Sequence, residues 1–131
     1  MLDSNVLSEL WKQDPAASVL EWLDSSEWLI PVVVIAEIQE GAEAAPSLAR
    51  REEISRNLAE FLSEFSSLVV DWDSETALVW ARLRHSLEVK RQTQALWDSL
   101  IDAMAVRHGI PIATTNGADF RHAVTFNHWT A

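Results

Sequence analysis

The sequence contains no cysteine, so disulfide bonds and thiolate metal sites are both excluded. Glycine is also scarce: Gly41, Gly109 and Gly117 stand alone, which excludes the glycine-rich loop of a nucleotide-binding P-loop. The longest apolar run, residues 28–36, is far shorter than the roughly 20 residues of a membrane-spanning helix. No basic segment leads into an apolar one at the start of the chain, so no secretory signal is predicted. We therefore expect a cytoplasmic protein.

Basic residues are few as well. The 131-residue chain has 10 lysines and arginines against 20 aspartates and glutamates, a net charge of −10, whereas proteins that bind nucleic acid by phosphate neutralisation alone are usually basic. The charge is uneven, because Lys12 is the single base before Arg50. Two carboxylates about 4 Å apart repel by roughly 4 kcal/mol at an effective dielectric near 20 unless a cation binds between them. The acids therefore form either a solvated surface or a cation site.

Segments with strand character alternate with helical ones along the chain. This alternation implies parallel strands joined by right-handed crossovers, and the length and the 48% apolar content suit one globular domain over residues 1–131. We predict a three-layer α/β/α fold with a small parallel sheet. The predicted strands are residues 1–2, 28–30, 68–70, 110–114 and 124–126, and the predicted helices are residues 6–11, 15–24, 33–44, 46–66, 74–87 and 95–108.

Helix-boundary residues mark several of these elements. Asp14 before Pro15 is typical of a helix start, and Asp73 is predicted to cap a later helix. Ser4 is predicted to cap the first helix, because its oxygen can accept a backbone N–H group. Gly109 suits the left-handed position that ends a helix.

Two candidate acids are predicted at strand tips. Asp3 follows a very short apolar run and precedes a helical pattern, which places its carboxylate at the edge where open α/β sheets bind ligands. Asp119 follows another strand and is expected at the same edge. Asn116 before it is typical of a turn, and Thr114 and Thr115 either donate hydrogen bonds to a ligand or simply end the strand.

Two helices carry the other candidate acids. Glu37 lies in an apolar stretch, and it belongs either to a site or to a polar stripe that it shares with Glu40. Asp98 lies in a first helical turn, where the helix dipole favours an acid with or without a function. Asp102 follows one turn later, and two carboxylates at this spacing repel mildly, which makes a bound cation more plausible. Alternatively, Asp98 alone faces the site.

These acids are hard oxygen donors, the type of ligand that suits Mg²⁺ or Mn²⁺. Such ions activate water and stabilise the leaving oxygen in phosphodiester hydrolysis. The four histidines are scattered along the sequence, so a zinc site is not predicted. We therefore predict a Mg²⁺ or Mn²⁺ site formed by Asp3, Glu37, Asp98 and Asp119.

Four motifs resemble PIN-domain toxins of the VapC type and occur in that family's order. They are LDSNVLSE (2–9), IAEIQEG (35–41), DSLIDA (98–103) and TNGADF (115–120), and residues 124–129 resemble the family's closing strand. The resemblance implies an α/β/α PIN-like fold and a Mg²⁺- or Mn²⁺-dependent endoribonuclease, the toxin of a type II toxin–antitoxin system. Carried over by position, the catalytic, metal-binding acids are Asp3, Glu37, Asp98 and Asp119, with supporting groups from Ser4 and Asn116.

The resemblance also implies partners. These are an RNA substrate, a cognate antitoxin whose basic C-terminal segment enters the acidic groove, and a second copy in a homodimer; operator DNA would be reached only through the antitoxin. The chain departs from the family's pattern at Thr115, where many relatives have arginine, and at Asp102, where a small apolar residue is common. Asp102 is therefore either a fifth ligand or an outer-shell acid.

Two other functions stay open at this point. One is a catalytically weak PIN-fold module that acts with an antitoxin on operator DNA. The other is a metal-dependent hydrolase of small phosphate esters, which would need a closed pocket, whereas RNA needs an open groove flanked by arginine or lysine.

Overall fold

In the computed structural model, which describes residues 1–129, short strands alternate with longer helices. The helices are α1 (Ser4–Leu10), α2 (Ala17–Ser25), α3 (Val32–Glu43), α4 (Leu48–Phe65), α5 (Ser74–Val89) and α6 (Leu96–His108). The strands are β1 (Ile30–Pro31), β2 (Val69–Val70), β3 (Ile112–Ala113) and β4 (Thr125–Phe126), and short 3₁₀ turns occupy Ser66–Leu68 and Gly117–Asp119. Within residues 1–129, no helix is long and apolar enough to cross a membrane.

Every strand pair in the described part of the chain is parallel. β1 pairs with β2 and β3 pairs with β4, while Leu2 joins the two pairs. The N–H of Leu2 donates to the carbonyl of Leu29 at 2.9 Å, and the N–H of Asp3 donates to the carbonyl of Ala113 at 3.1 Å. The start of the chain therefore lies in the middle of the sheet. This arrangement confirms the predicted small parallel sheet of an α/β/α fold.

The core forms where the sheet meets the helices. Each of five core residues is completely buried: Leu2 of the isolated bridge, Leu7 of α1, Ile30 of β1, Ile101 of α6 and Ile112 of β3. Burial of such a side chain contributes about 2 kcal/mol relative to its exposure in water. The first residues of the chain and α6 are consequently held in one rigid body.

Three predicted helix starts are wrong. α4 starts at Leu48 and not at Pro46, because Ser47 caps it by accepting the Arg50 N–H at 3.1 Å. Ser4 does not cap α1; Asp3 is the N-cap, and its side chain accepts the Ser4 N–H at 2.7 Å. The second helix does not start at Pro15 with Asp14 as its cap. It starts at Ala17, because the Glu9 carboxylate accepts the N–H of Ala16 at 2.8 Å and holds that residue in an extended conformation.

Other boundary predictions are confirmed. Asp73 caps α5 by accepting the Thr76 N–H at 2.7 Å, and Gly109 ends α6 with a φ of 64°. The predicted closing strand is present as β4 at the edge of the sheet, in parallel pairing with β3. The predicted strand at residues 28–30 begins only at Ile30.

Candidate metal centre

Asp3 lies where the chain leaves the sheet and enters α1. Only 4% of the residue is exposed, and its Oδ2 accepts a 2.7 Å hydrogen bond from the Thr114 hydroxyl. Burial raises the pKa of Asp3, hydrogen bonds from Thr114 and Ser4 lower it, and repulsion from Asp119 raises it. The carboxylate is thus fixed in place, in surroundings where a neighbouring cation would favour its charged form.

Glu37 projects from α3 toward the same region. Its Oε1 is buried and accepts no hydrogen bond from any residue of the described chain. Burial raises the pKa of Glu37, a hydrogen bond from the Ser4 side chain lowers it, and repulsion from Asp3, Asp98 and Glu40 raises it. A buried carboxylate oxygen without a donor is costly, so this atom is suited to receive a ligand.

Asp98 and Asp119 complete the set of predicted acids. Asp98 lies in the first turn of α6, where burial, followed by repulsion from Asp3, Asp119 and Asp102, raises its pKa to about 6. Asp119 lies in the exposed turn Gly117–Asp119, and its N–H donates to the Asn116 carbonyl at 2.9 Å.

Folding places the four acids in one electrostatic neighbourhood. Asp3 repels Glu37 and Asp98, and Asp119 repels Asp3 and Asp98, although up to 116 positions separate the residues in sequence. Among residues 1–129, no three acidic or histidine side chains are already arranged as a metal site. Carboxylate oxygens, one of them lacking any donor, are nevertheless donors that fit a divalent cation.

The family model described as "PIN domain" matches residues 1–124. The chain belongs to the PIN domain family. It is 32% identical over 127 residues to VapC ribonuclease Y4jK of Sinorhizobium fredii, covering 94% of this chain and 91% of that protein. It is also 26% identical over 135 residues to Toxin FitB of Neisseria gonorrhoeae, with 98% and 97% coverage.

Solved structures agree with this assignment. The crystal structure of FitAcB from Neisseria gonorrhoeae matches with a TM-score of 0.84 and 25% identity, over 99% of this chain and 98% of the other. A structure of DNA-bound VapBC from Salmonella typhimurium matches with a TM-score of 0.75 and 26% identity, over 98% and 96%. The resemblance to PIN-domain toxins of the VapC type is therefore confirmed.

Asp102 in this PIN domain binds a loop. It is 1% exposed, and its two oxygens accept the backbone N–H groups of Arg121, His122 and Ala123 at 3.1, 3.1 and 2.8 Å. Its Oδ2 also contacts Nδ1 of His122 at 3.1 Å and accepts the side-chain amide of Gln94 at 3.2 Å. These bonds occupy both carboxylate oxygens. Of the two roles that the sequence left open, fifth metal ligand or outer-shell acid, Asp102 therefore fits the outer-shell acid.

Sequence reasoning missed the residues that orient these acids. The Asn5 side-chain amide donates to the hydroxyl oxygens of Thr114 and Thr115, at 3.1 and 2.9 Å. Gln94 donates to the backbone carbonyl of Asp119 at 2.9 Å as well as to Asp102. The only signal for Asn5 was its place in the first motif, and no local pattern pointed to Gln94. Asn116 contacts the site through its backbone: its N–H donates to the Thr114 hydroxyl at 2.9 Å.

A cleft of about 510 Å³ leads away from Glu37 between α1, α3 and α4. Its walls mix acidic and basic side chains, including Lys12, Arg50 and Glu53. Lys12 and Arg50 are each paired with a glutamate, Glu9 and Glu53 respectively. The cleft therefore presents polar and charged groups that could receive an extended chain.

Proposed function

We propose that this PIN domain is a Mg²⁺- or Mn²⁺-dependent endoribonuclease, acting as a single domain in the cytoplasm as the toxin of a type II toxin–antitoxin system. The observation that carries the proposal is the common neighbourhood of Asp3, Glu37, Asp98 and Asp119. The 32% identity to a protein named VapC ribonuclease supports the same activity.

The four acids would hold the cation, which when bound supplies activation of water and neutralisation of charge on the phosphate. Thr114 orients Asp3, and the Ser4 side chain contacts Glu37. Burial, followed by repulsion from the neighbouring acids, raises the pKa of Asp98 to about 6, so below that pH a binding cation would have to displace a proton from this carboxyl. Water would attack the phosphorus of an RNA phosphodiester, the bond from phosphorus to the leaving oxygen would break, and the proton given up by the attacking water would be balanced by protonation of the leaving oxygen.

A cognate antitoxin with a basic C-terminal segment is the proposed partner. The matched structures include VapBC and FitAcB assemblies, and two VapBC structures and one FitAB structure are bound to DNA. An arginine from such a segment could bridge two of the acids, because a guanidinium donates paired hydrogen bonds to carboxylates. With a net charge of −10, this chain would reach operator DNA only through the antitoxin. A homodimer is part of the same proposal.

The test compares purified variants on RNA in the presence of Mn²⁺. Asp3→Asn and Asp98→Asn should each lower the cleavage rate by about 100-fold or more while the protein stays folded. They should also weaken Mn²⁺ binding measured by calorimetry. Asp24→Asn, a change at an exposed acid of α2, is the matched control and should cleave like the unaltered protein.

Full cleavage by Asp3→Asn would overturn the proposal. Hydrolysis of nitrophenyl phosphate without cleavage of RNA would instead indicate a small-ester hydrolase. The unaltered protein could instead bind operator DNA together with an antitoxin while binding Mn²⁺ no more tightly than its Asp98→Asn variant does. That result would indicate the catalytically weak binding module.

A further inference from the structure

Two arginine side chains contact the loop between α5 and α6, and two further basic residues lie in the chain just before that loop. We call Arg84, Lys90, Arg91 and Arg121 the basic corner. The Arg84 guanidinium donates to the Gln94 carbonyl at 3.2 Å, and Arg121 donates to the neighbouring Thr93 carbonyl at 3.3 Å. Both guanidinium groups are therefore anchored on one short loop, and Lys90 and Arg91 lead into that loop.

These four cations lack acidic partners. Within residues 1–129, none of them forms an ion pair with a carboxylate, although the chain has twice as many acids as bases. By contrast, Lys12, Arg50, Arg51 and Arg107 each pair with at least one glutamate or aspartate. Unpaired cations that lie close together give the surface a local positive potential, which attracts anions.

Arg91 occupies a backbone position that costs stability. It has a φ of 55°, and the next N–H, of Gln92, donates to the Leu87 carbonyl five residues back. α6 ends with the same turn, but there the residue with positive φ is Gly109. Glycine adopts this conformation without strain, whereas an ordinary side chain does so at a cost. Replacing Arg91 by glycine would therefore remove this strain together with the guanidinium group.

The basic corner lies next to the acid cluster formed by Asp3, Glu37, Asp98 and Asp119. Gln94, whose carbonyl anchors Arg84, donates its side-chain amide to the Asp119 carbonyl at 2.9 Å. A strand of nucleic acid with one phosphate at the acids can therefore place neighbouring phosphates at the corner. A basic peptide, in contrast, would be repelled by it.

We infer that the basic corner binds the phosphate backbone of the RNA strand beside the cleaved phosphate. The inference rests on the proposed ribonuclease function. It adds the direction in which the bound RNA strand extends from the four acids. Arg84 and Arg121 supply guanidinium groups in fixed positions, and Lys90 and Arg91 extend the positive surface along the strand.

Binding of a short single-stranded RNA oligonucleotide tests this inference, in an Asp98→Asn background that prevents cleavage. Arg84→Gln and Arg121→Gln should each weaken binding several-fold and reduce the slope of log K against log salt by about 0.7, the change expected for one phosphate contact. Arg56→Gln, at an exposed arginine of α4 that also has no ion pair in the described chain, is the control and should change neither quantity.

Arg91→Gly separates binding from structure. It should raise Tm, because glycine removes the strained backbone, and at the same time weaken RNA binding. A raised Tm with RNA binding and salt slope unchanged would contradict the inference. So would an equal loss in Arg56→Gln, or a loss of duplex DNA binding in the corner variants with RNA binding intact.

The failure of this inference and the failure of the proposed function are distinguishable. If the chain binds and cleaves RNA but the corner variants behave like Arg56→Gln, only the corner assignment fails. If the unaltered protein neither binds nor cleaves RNA with Mn²⁺, both proposals fail.

Discussion

The hydroxyl of Thr114 donates a 2.7 Å hydrogen bond to Oδ2 of Asp3, across 111 positions of sequence. Thr114 follows β3, and Asp3 follows the residue that bridges to β3, so both side chains emerge at the same end of the sheet. Because Asn5 also donates to the Thr114 hydroxyl, the threonine acts as both donor and acceptor. This hydrogen bond therefore fixes the position of Asp3, the first of the four candidate acids along the chain.

Thr114→Val tests the role of this hydrogen bond. Valine keeps the shape of threonine but cannot donate, so the buried Asp3 carboxylate loses a partner and the free energy of unfolding should fall by about 2 kcal/mol. The same hydrogen bond lowers the pKa of Asp3, which should therefore rise in the variant and can be followed by NMR titration. Thr115→Val, at an exposed neighbour that contacts Asn5 but not Asp3, is the control. Equal effects in the two variants would count against a specific role for Thr114.

In the metal-free protein, the contribution of Asp98 to stability should fall as the pH rises from about 4 to about 6. The pKa of Asp98 is raised to about 6 from an ordinary value of about 3.9, so the folded state binds more protons than the unfolded state within this window. The pKa values of Asp3 and Glu37 shift in the same direction. Burial of the Met1 amino group lowers its pKa from 8.0 to about 6, which affects stability only between about pH 6 and 8.

Urea denaturation in EDTA at pH 4.5 and 6.5 measures this effect. The unfolding free energy of the unaltered protein should fall between these pH values relative to that of Asp98→Asn, which lacks the titrating group. Parallel pH profiles for the two proteins would show that the Asp98 pKa is not raised. Calorimetry should also show that Mn²⁺ binds more weakly as the pH falls below about 6, because protons compete for the same oxygens.

Asp102→Asn should release the loop that carries Asp119. An amide cannot accept hydrogen bonds on both of its atoms, so one or more of the three bound N–H groups loses its partner and the unfolding free energy should fall by about 3 kcal/mol. Hydrogen exchange should become faster at residues 121–123, and Mn²⁺ affinity should fall by roughly tenfold because Asp119 is less well positioned.

Glu9→Gln is the matched control for that change. Glu9 is also buried, at 4% exposure, and its carboxylate holds a different loop by accepting the Ala16 N–H. This variant should lose stability without losing Mn²⁺ affinity. If the Asp102→Asn variant bound Mn²⁺ as tightly as the Glu9→Gln variant, the attachment of residues 121–123 to Asp102 would not influence Mn²⁺ binding by the four acids.

Gly117→Ala should displace the Asp119 turn. A Cβ atom at this position would lie 2.7 Å from the Thr125 hydroxyl oxygen, so the Thr125 side chain, the turn or β4 has to move, and cleavage should fall if the turn moves. Adding Thr125→Ala removes the close contact and should restore much of the activity. Gly41→Ala is the control: a Cβ there meets nothing within 4 Å, and alanine inside α3 should raise the unfolding free energy by about 0.5–1 kcal/mol. Failure of Thr125→Ala to rescue would contradict this explanation.

Local sequence patterns predicted most elements and boundaries of this fold. Asp73 and Gly109 work through atoms within a few residues, so their capping roles could be read directly from the sequence. The Pro15 helix start failed because the Glu9 carboxylate bonds Ala16, an interaction that no local pattern contains. The two roles left open for Asp102 could be separated only once its partners in residues 121–123 were visible.

The order of the acids along the chain, the lack of thiols and the alternation of helix and strand follow from side-chain chemistry and periodicity, which the linear sequence contains in full. The engagement of each carboxylate depends on groups up to 111 positions away. Asp3 is held by Thr114, Asp102 is occupied by backbone N–H groups, and Glu37 keeps a free oxygen within the described structure. Only packing brings such atoms within hydrogen-bonding distance. The tertiary structure alone therefore distinguishes an acid whose oxygens accept N–H groups of a loop from one whose oxygen stays available to a metal ion.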